Sequence, residues 1–267
     1  MFRQPAVAGQ FYSGERDRLQ KDLASLILHQ KEQERAIGVV SPHAGYIYSG
    51  AVAGALFGSI RIPRTVVILG PNHHGLGARA ALYPSGSWGT PLGTVPIDDT
   101  FSSLLSRHAP LLESDTKAHL YEHSLEVQIP FLQSIRPDVG IVPVCIGFGS
   151  YQECEELGKG LALAIREYGE EVLIVASSDM THYEPADQAR EKDGLAIREI
   201  LALNPAGLLE ACRSHGITMC GVVPATVMLI AARELGASRA RLVRYANSGE
   251  VNGDYRQVVG YAAVTVS

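Results

Sequence analysis

Three histidines carry the first chemical signal. His43 follows "VVSP", His73 follows "VILGPN" and His182 follows "LIVASSDMT". Each stands a few residues beyond a short β-branched run, and in open parallel sheets the carboxyl ends of such runs line the crevice where ligands bind. Imidazole is the commonest transition-metal ligand and the natural acid or base near neutral pH. A single loop histidine is more often solvated or packed, but threefold repetition of the placement favours one shared pocket. In "GPNHHG" the adjacent His74 diverges from His73, and packing or a supporting hydrogen bond is its favoured reading.

"YEHSLEVQIP" (121–130) adds a second constellation. On a helix starting near Glu122, His123 and Glu126 are three apart and share a face. The Glu126 carboxylate could then orient the His123 imidazole and fix its tautomer. The competing reading is a plain charged helix start, where Glu122 suits the dipole without any site. Asp179 in "SSDMTH" could orient His182 or merely cap the next segment. Cys220 in "MCG" precedes a helix, where a thiolate is favoured and can ligate metal or act as a nucleophile. Free cysteine is also among the most buried residue types, and Cys145, Cys154 and Cys212 read as packing residues. Tyr46 and Tyr48 in "HAGYIYSG" line a pocket or pack at a loop.

These residues need elements to hold them. The runs 36–41, 65–70, 139–147 and 171–178 read as strands buried on both faces. Helical periodicity covers 49–60, 98–108, 123–135, 151–169, 185–203, 205–216 and 224–236, several with Ser, Asp or Pro starts and Gly stops. Two further strands, 240–248 and 258–266, flank the turn "GEVNGD" and suit an antiparallel pair. The alternation predicts a single α/β domain over 1–267, a three-layer α/β/α sandwich with a mostly parallel, mixed central sheet. The Gly- and Pro-rich stretch 85–96 reads as an ordered loop rather than a boundary.

Composition sets limits. The 267 residues are 46% hydrophobic and 19% charged, with net charge -5, ordinary globular values. No basic block or arginine stripe marks a nucleic-acid partner. The start "MFRQPAVAGQFYSG" lacks the pattern of a signal peptide. The longest apolar candidate, 222–232, is too short to span a membrane and contains a proline. Four cysteines without a CxxC read as reduced thiols of a cytoplasmic protein. There is no P-loop and no nucleophile elbow. "GLGARA" (75–80) has a glycine-rich look, but no helix follows it, so it is rejected as a dinucleotide site.

Taken in order, "RQPAVAGQFY", "SPHAGYIYSG", "ILGPNHHG", "WGTPLG", "EHSLEVQIPFLQ", "ASSDMTHY", "MCG" and "VVGYAAVTV" resemble the Memo family over nearly the whole chain. That family includes the AmmeMemoRadiSam system protein B and resembles in fold the class III extradiol ring-cleavage dioxygenases, which are non-haem iron enzymes. The resemblance implies metal ligands at His43, His73 and Cys220, the last where the dioxygenases carry a glutamate. It implies an acid/base role for His182 and an oxygen- or substrate-contacting role for His123. His74, Glu126, Asp179 and Tyr46 would support the pocket. The implied cofactor is a divalent or redox metal, iron first. A thiolate in place of the carboxylate softens the site and admits copper or zinc. The implied activity is a metal-dependent oxidoreductase on a small molecule, with a pathway link to a radical-SAM enzyme. Two alternatives stay open: a non-catalytic peptide- or ligand-binding scaffold, and a hydrolase or transferase with Cys220 as nucleophile.

Overall fold

Short apolar runs alternating with amphipathic segments build a layered α/β structure because each element must bury one face or stripe. The computed structural model describes residues 1–147 and 149–267. Its strands are β1 (Phe2–Arg3), β2 (Gly38–Ser41), β3 (Thr65–Pro71), β4 (Ala80–Leu82), β5 (Ser87–Thr90), β6 (Gly93–Pro96), β7 (Glu113–Ser114), β8 (Gly140–Ile146), β9 (Val172–Ser177), β10 (His182–Glu184), β11 (Ala240–Asn247) and β12 (Val258–Val266). Its α-helices are α1 (Arg16–Leu26), α2 (Tyr46–Ser59), α3 (Asp99–His108), α4 (His123–Glu126), α5 (Ile129–Ile135), α6 (Tyr151–Tyr168), α7 (Ala186–Leu201), α8 (Pro205–Ser214), α9 (Val222–Glu234) and α10 (Gly249–Asn252).

Nine strands form one mixed sheet in the order β10-β12-β2-β9-β3-β8-β4-β7, with β11 also paired to β12. The central strands β2, β9, β3 and β8 run parallel. Antiparallel pairs flank them, at β12 on one side and β4 on the other. Val66, Ile68, Leu173 and Val175 pack into one apolar layer with residues of α1, α2 and α5. Val67, Leu69, Ile174 and Ala176 pack into the opposite layer with residues of α3, α6 and α9. Burial on both faces is why these strands read as unbroken hydrophobic runs. The sandwich expected from the pattern is therefore present, and the closing strands pair antiparallel from Ala240–Val266 to Asn247–Gly260.

Local chemistry sets the boundaries. Ser150 and Glu153 form a capping box at the start of α6, and Gly169, at φ 75°, ends it in the left-handed conformation that glycine adopts without strain. The segment expected as one helix over 123–135 is two helices, α4 and α5. Pro130 explains the break: it lacks an N–H, so it suits the first turn of α5 and not a helix interior. The stretch 85–96, expected as a loop, contains β5 and β6, which join β1 in a separate three-stranded sheet. Helix α1 has no counterpart among the helices expected from periodicity.

The small sheet presents Trp88 which, with Tyr83, encloses the fully buried His119 edge-on, at ring distances of 5.7 and 5.5 Å. Its Nε2 lies 3.2 Å from the Ala81 carbonyl. Burial, then the charge of Arg3, pushes His119 down to about 3. An unfolded histidine titrates near 6.5, so on acidification the unfolded chain takes up this proton first. The stability held above about pH 6.5 is lost as pH falls towards 3, roughly 2 kcal/mol by pH 5. In urea unfolding at pH 7 and pH 5, His119→Gln is expected to lose less stability than the parent by about that amount. Equal losses would show that His119 does not carry the acid sensitivity.

Candidate functional site

The ends of the parallel strands deliver side chains to one place. His43 lies two residues past β2, His73 two past β3 and Asp179 two past β9. His123 opens α4, His182 opens β10, and Cys220 stands two residues before α9. His73 and His123 stack at 4.6 Å, and His43 meets each of them edge-on at 5.2 and 5.3 Å. One ring nitrogen from each of these three histidines falls within 4.8 Å of the others. Cys220 borders the group, its Sγ 3.1 Å from His43 Nε2.

The surrounding hydrogen bonds decide which nitrogens are free. Ser177 gives its hydroxyl proton to the Ser124 carbonyl at 2.6 Å and accepts from Gln128 Nε2 at 2.8 Å. The His43 Nδ1 contact to Ser177 Oγ, 3.0 Å, is then a donation from Nδ1–H, leaving the lone pair on Nε2. Glu122 plays the same part for His73. Its carboxylate accepts from His73 Nδ1 at 2.9 Å, the His73 backbone N–H at 2.7 Å and Ser124 N–H at 2.9 Å. His123 Nδ1 lies 3.5 Å from the same carboxylate oxygen. A carboxylate behind an imidazole fixes the tautomer and raises the basicity of the opposite nitrogen. His43 and His73 thus keep Nε2 for a ligand.

Charge follows burial. Burial lowers His43 well below the usual histidine range, and the neighbouring histidines reinforce it. Burial brings His123 down to about 4 despite the opposing charge of Glu122. Burial alone would raise Glu122, but the hydrogen bond and charge of His73, the Ser124 N–H and His123 bring it down to about 2. At neutral pH the His43 and His123 rings are therefore neutral beside the anionic Glu122 carboxylate, so protons on these two rings do not compete strongly with a cation.

The far wall comes from β9, β10 and α9. Asp179 accepts from the backbone N–H groups of His43 and Ala44 at 2.8 and 3.3 Å, and burial raises it to about 7. Its own N–H points to Cys220 Sγ at 3.3 Å. A Cβ at Gly221 would meet the Ser177 carbonyl at 2.2 Å, so only glycine lets the Cys220 turn lie this close to β9. Burial, then the Asp179 charge, pushes the Cys220 thiol far up. His182 Nδ1 donates to the Thr218 carbonyl at 3.1 Å, leaving Nε2 as its basic nitrogen, and burial keeps the ring's affinity for protons low. The pairing of β10 shifts register between His182 and Glu184, and Tyr183 sits between them at φ 60°. Bulges and left-handed non-glycine residues of this kind re-aim side chains beside functional sites.

Several expectations need correction. Glu126 does not orient His123. It is drawn instead to Arg3 Nη1 at 2.6 Å, the N–H groups of Ala6 and Val7 and the Tyr12 hydroxyl, donors that a neutral imidazole cannot match. Asp179 holds the His43–Ala44 backbone rather than the His182 ring. Tyr46 turns into the core, donating to the Val127 carbonyl at 2.7 Å and packing on Phe131 at 4.7 Å. His74 is exposed at the rim, 6.3 Å from the Tyr121 ring, and does not stand behind His73. Glu122, read only as a favourable charge at a helix start, is the carboxylate of the site. One signal marked it: an N-cap is usually Ser, Thr, Asp or Asn, and glutamate there suits a reach beyond its own helix. Nothing in the spacing marked Phe11, whose ring lies 4.7 Å from His123.

The convergent imidazoles of His43, His73 and His123 form a group that could hold a metal ion. Comparison with known proteins bears on the frame around it. A family described as "Memo-like protein" matches residues 3–265. A MEMO1 family protein of Methanopyrus kandleri is 42% identical over 278 residues, covering 99% of this chain and 98% of its own. One from Aquifex aeolicus is 44% identical over 261 residues, covering 97% of each. Among solved structures, an uncharacterized protein of Escherichia coli K12 superposes with TM-score 0.57 at 15% identity, over 87% of this chain and 100% of that one. That likeness is one of fold.

Proposed function

The chain belongs to the Memo family, and from that premise we propose that it is a metal-binding protein with a pocket of the non-haem-iron dioxygenase kind. His43, His73 and Cys220 would hold the ion, with His123 facing it as a further donor. The observation that supports this is the trio of ring nitrogens within 4.8 Å of one another, joined to Cys220 through His43. Iron is the favoured ion, and the thiol makes copper or zinc the alternatives. When bound, the ion would supply Lewis acidity and, for iron or copper, a change of oxidation state.

The chain's own residues supply the rest. His182, anchored through Nδ1, offers Nε2 as a base for a substrate proton. Glu122 keeps His73 aimed, and Phe11 packs against the His123 ring. The reading makes the protein a metal-dependent oxidoreductase acting on a small molecule. The reading of Cys220 as a nucleophile activated by His182 is disfavoured, because His182 Nδ1 is bonded to the Thr218 carbonyl and the imidazole that meets Cys220 Sγ is His43, here assigned to the metal. The four free thiols suit a reducing, cytoplasmic compartment; among the described residues no helix is long and apolar enough to cross a membrane.

After anaerobic purification, metal content is expected to be near one ion per chain and to fall sharply in His43→Ala and Cys220→Ala. Iodoacetamide is expected to reach Cys220 only after a chelator is added. Unchanged metal content in both variants would overturn the ligand assignment.

A further inference from the structure

The stretch "RQPAVAGQFY" (3–12) supplies no metal ligand, yet buried bonds tie it to the site. Arg3 is 4% exposed and Glu126 fully buried. The Arg3 guanidinium donates from Nε to the His119 carbonyl at 2.6 Å, from Nη1 to Glu126 Oε2 at 2.6 Å and from Nη2 to the Glu122 carbonyl at 2.8 Å. It also lies 4.0 Å over the Trp88 ring. Glu126 returns the grip, accepting from Ala6 N–H at 2.8 Å, Val7 N–H at 3.0 Å and the Tyr12 hydroxyl at 2.7 Å. Between these anchors Phe11 lies with its ring 4.7 Å from His123, and its carbonyl accepts from Tyr46 N–H at 2.7 Å.

We infer that residues 3–12 are the positioning element of the metal centre: the Arg3–Glu126 clasp fixes the backbone of Glu122 and clamps Phe11 against the His123 ring. This rests on the metal-centre reading and extends it to residues that touch no ion.

The physical reason lies in what a buried ion pair does. Apolar residues of similar volume often replace such a pair without loss of stability, so a buried pair is weak support for a role in stability alone. Geometry is a different matter. Two short helices, α4 and α5, carry His123 and the residues behind it, and a helix of one or two turns does not hold itself rigid. The clasp supplies from outside what α4 lacks. Arg3 takes the carbonyl of Glu122 itself, while the Glu122 side chain holds His73 and caps Ser124. Movement of the clasp would therefore reach His73 and His123 together. Arginine suits this position because its planar fork holds several acceptors at once, which a lysine ammonium does not.

The test uses the full chain with Arg3→Met, Phe11→Leu and Tyr12→Phe, and the exposed Arg213→Ala as control. Co(II) is titrated in anaerobically while its visible absorption, which reports ligand geometry, is recorded. Arg3→Met is expected to bind about 10–100-fold more weakly, the range found when outer-shell partners of metal ligands are removed, with shifted absorption bands. Phe11→Leu and Tyr12→Phe are expected to move the bands in the same direction by less, and Arg213→Ala not at all. Should Arg3→Met fail to fold, the other two variants carry the test. Before metal is added, the His123 ring protons, shielded by Phe11, are expected to shift in Arg3→Met while those of His182 stay in place. Wild-type affinity, bands and ring-proton positions in the clasp variants would overturn the inference. A parent chain that takes up no Co(II) would instead overturn the metal reading, and the ring-proton comparison would still decide the positioning claim.

Discussion

Glu122→Gln is expected to weaken metal binding by about 10–100-fold, as loss of a carboxylate behind ligating histidines does, and to destabilise the fold by about 2–4 kcal/mol. Both effects follow from one buried carboxylate with three close donors: His73 Nδ1–H, His73 N–H and Ser124 N–H. Glutamine keeps the shape but turns one acceptor oxygen into an NH2 group, which would face an N–H with no acceptor between them. The His73 ring would then lose the partner that fixes its tautomer. The pH dependence carries its own signature. Glu122 is held down to about 2 in the folded chain, against about 4.3 unfolded. Its contribution is complete above that unfolded value and is lost as pH falls through 4 towards 2. The variant should lack this acid-labile component in urea titrations. Wild-type metal affinity in Glu122→Gln would show that the carboxylate does not orient the ligands.

The second large effect belongs to Glu126→Ala, expected to destabilise the chain by about 3–5 kcal/mol, the usual consequence of removing one partner of a buried ion pair. Arg3 would remain as an unpaired charge at 4% exposure, and the Ala6 and Val7 N–H groups and the Tyr12 hydroxyl would lose their acceptor. The comparison is Asp254→Ala, which breaks the solvent-exposed pair with Arg256 and should leave the urea midpoint essentially unmoved, because exposed pairs are screened. A loss at Glu126 below about 1 kcal/mol would mean that the N-terminal segment is held by packing alone.

Much of this frame was legible in residue types. Runs such as "TVVILG" and "EVLIVASS" declared doubly buried strands because a parallel strand has no solvent face, and β3 and β9 occupy them. Strand-end placement in the sequence likewise points to His43 and His73, which stand two residues past β2 and β3. What spacing could not give was which partner each side chain would choose. His123 and Glu126 share a helical period, yet the carboxylate follows Arg3, a residue 123 positions away. Asp179 precedes His182 by three residues but takes the backbone of His43, 136 positions away. Tyr46 looked available in a loop and is committed to α2 and the core. Local period fixes where a side chain can point, whereas buried donors and acceptors pair with whatever the tertiary fold brings near. The small sheet of β1, β5 and β6 was missed for a related reason: Gly and Pro mark turns, and the two short strands between them carry too few residues to show alternation.

The most direct measurement is anomalous scattering from an anaerobically grown crystal of the full chain, recorded across the iron, copper and zinc edges. One strong peak is expected in the crevice between His43, His73 and Cys220, within coordination reach of their ring nitrogens and thiolate, with His123 alongside. A metal-loaded crystal with no peak there, or with its peak at a site remote from these histidines, would contradict the ligand assignment.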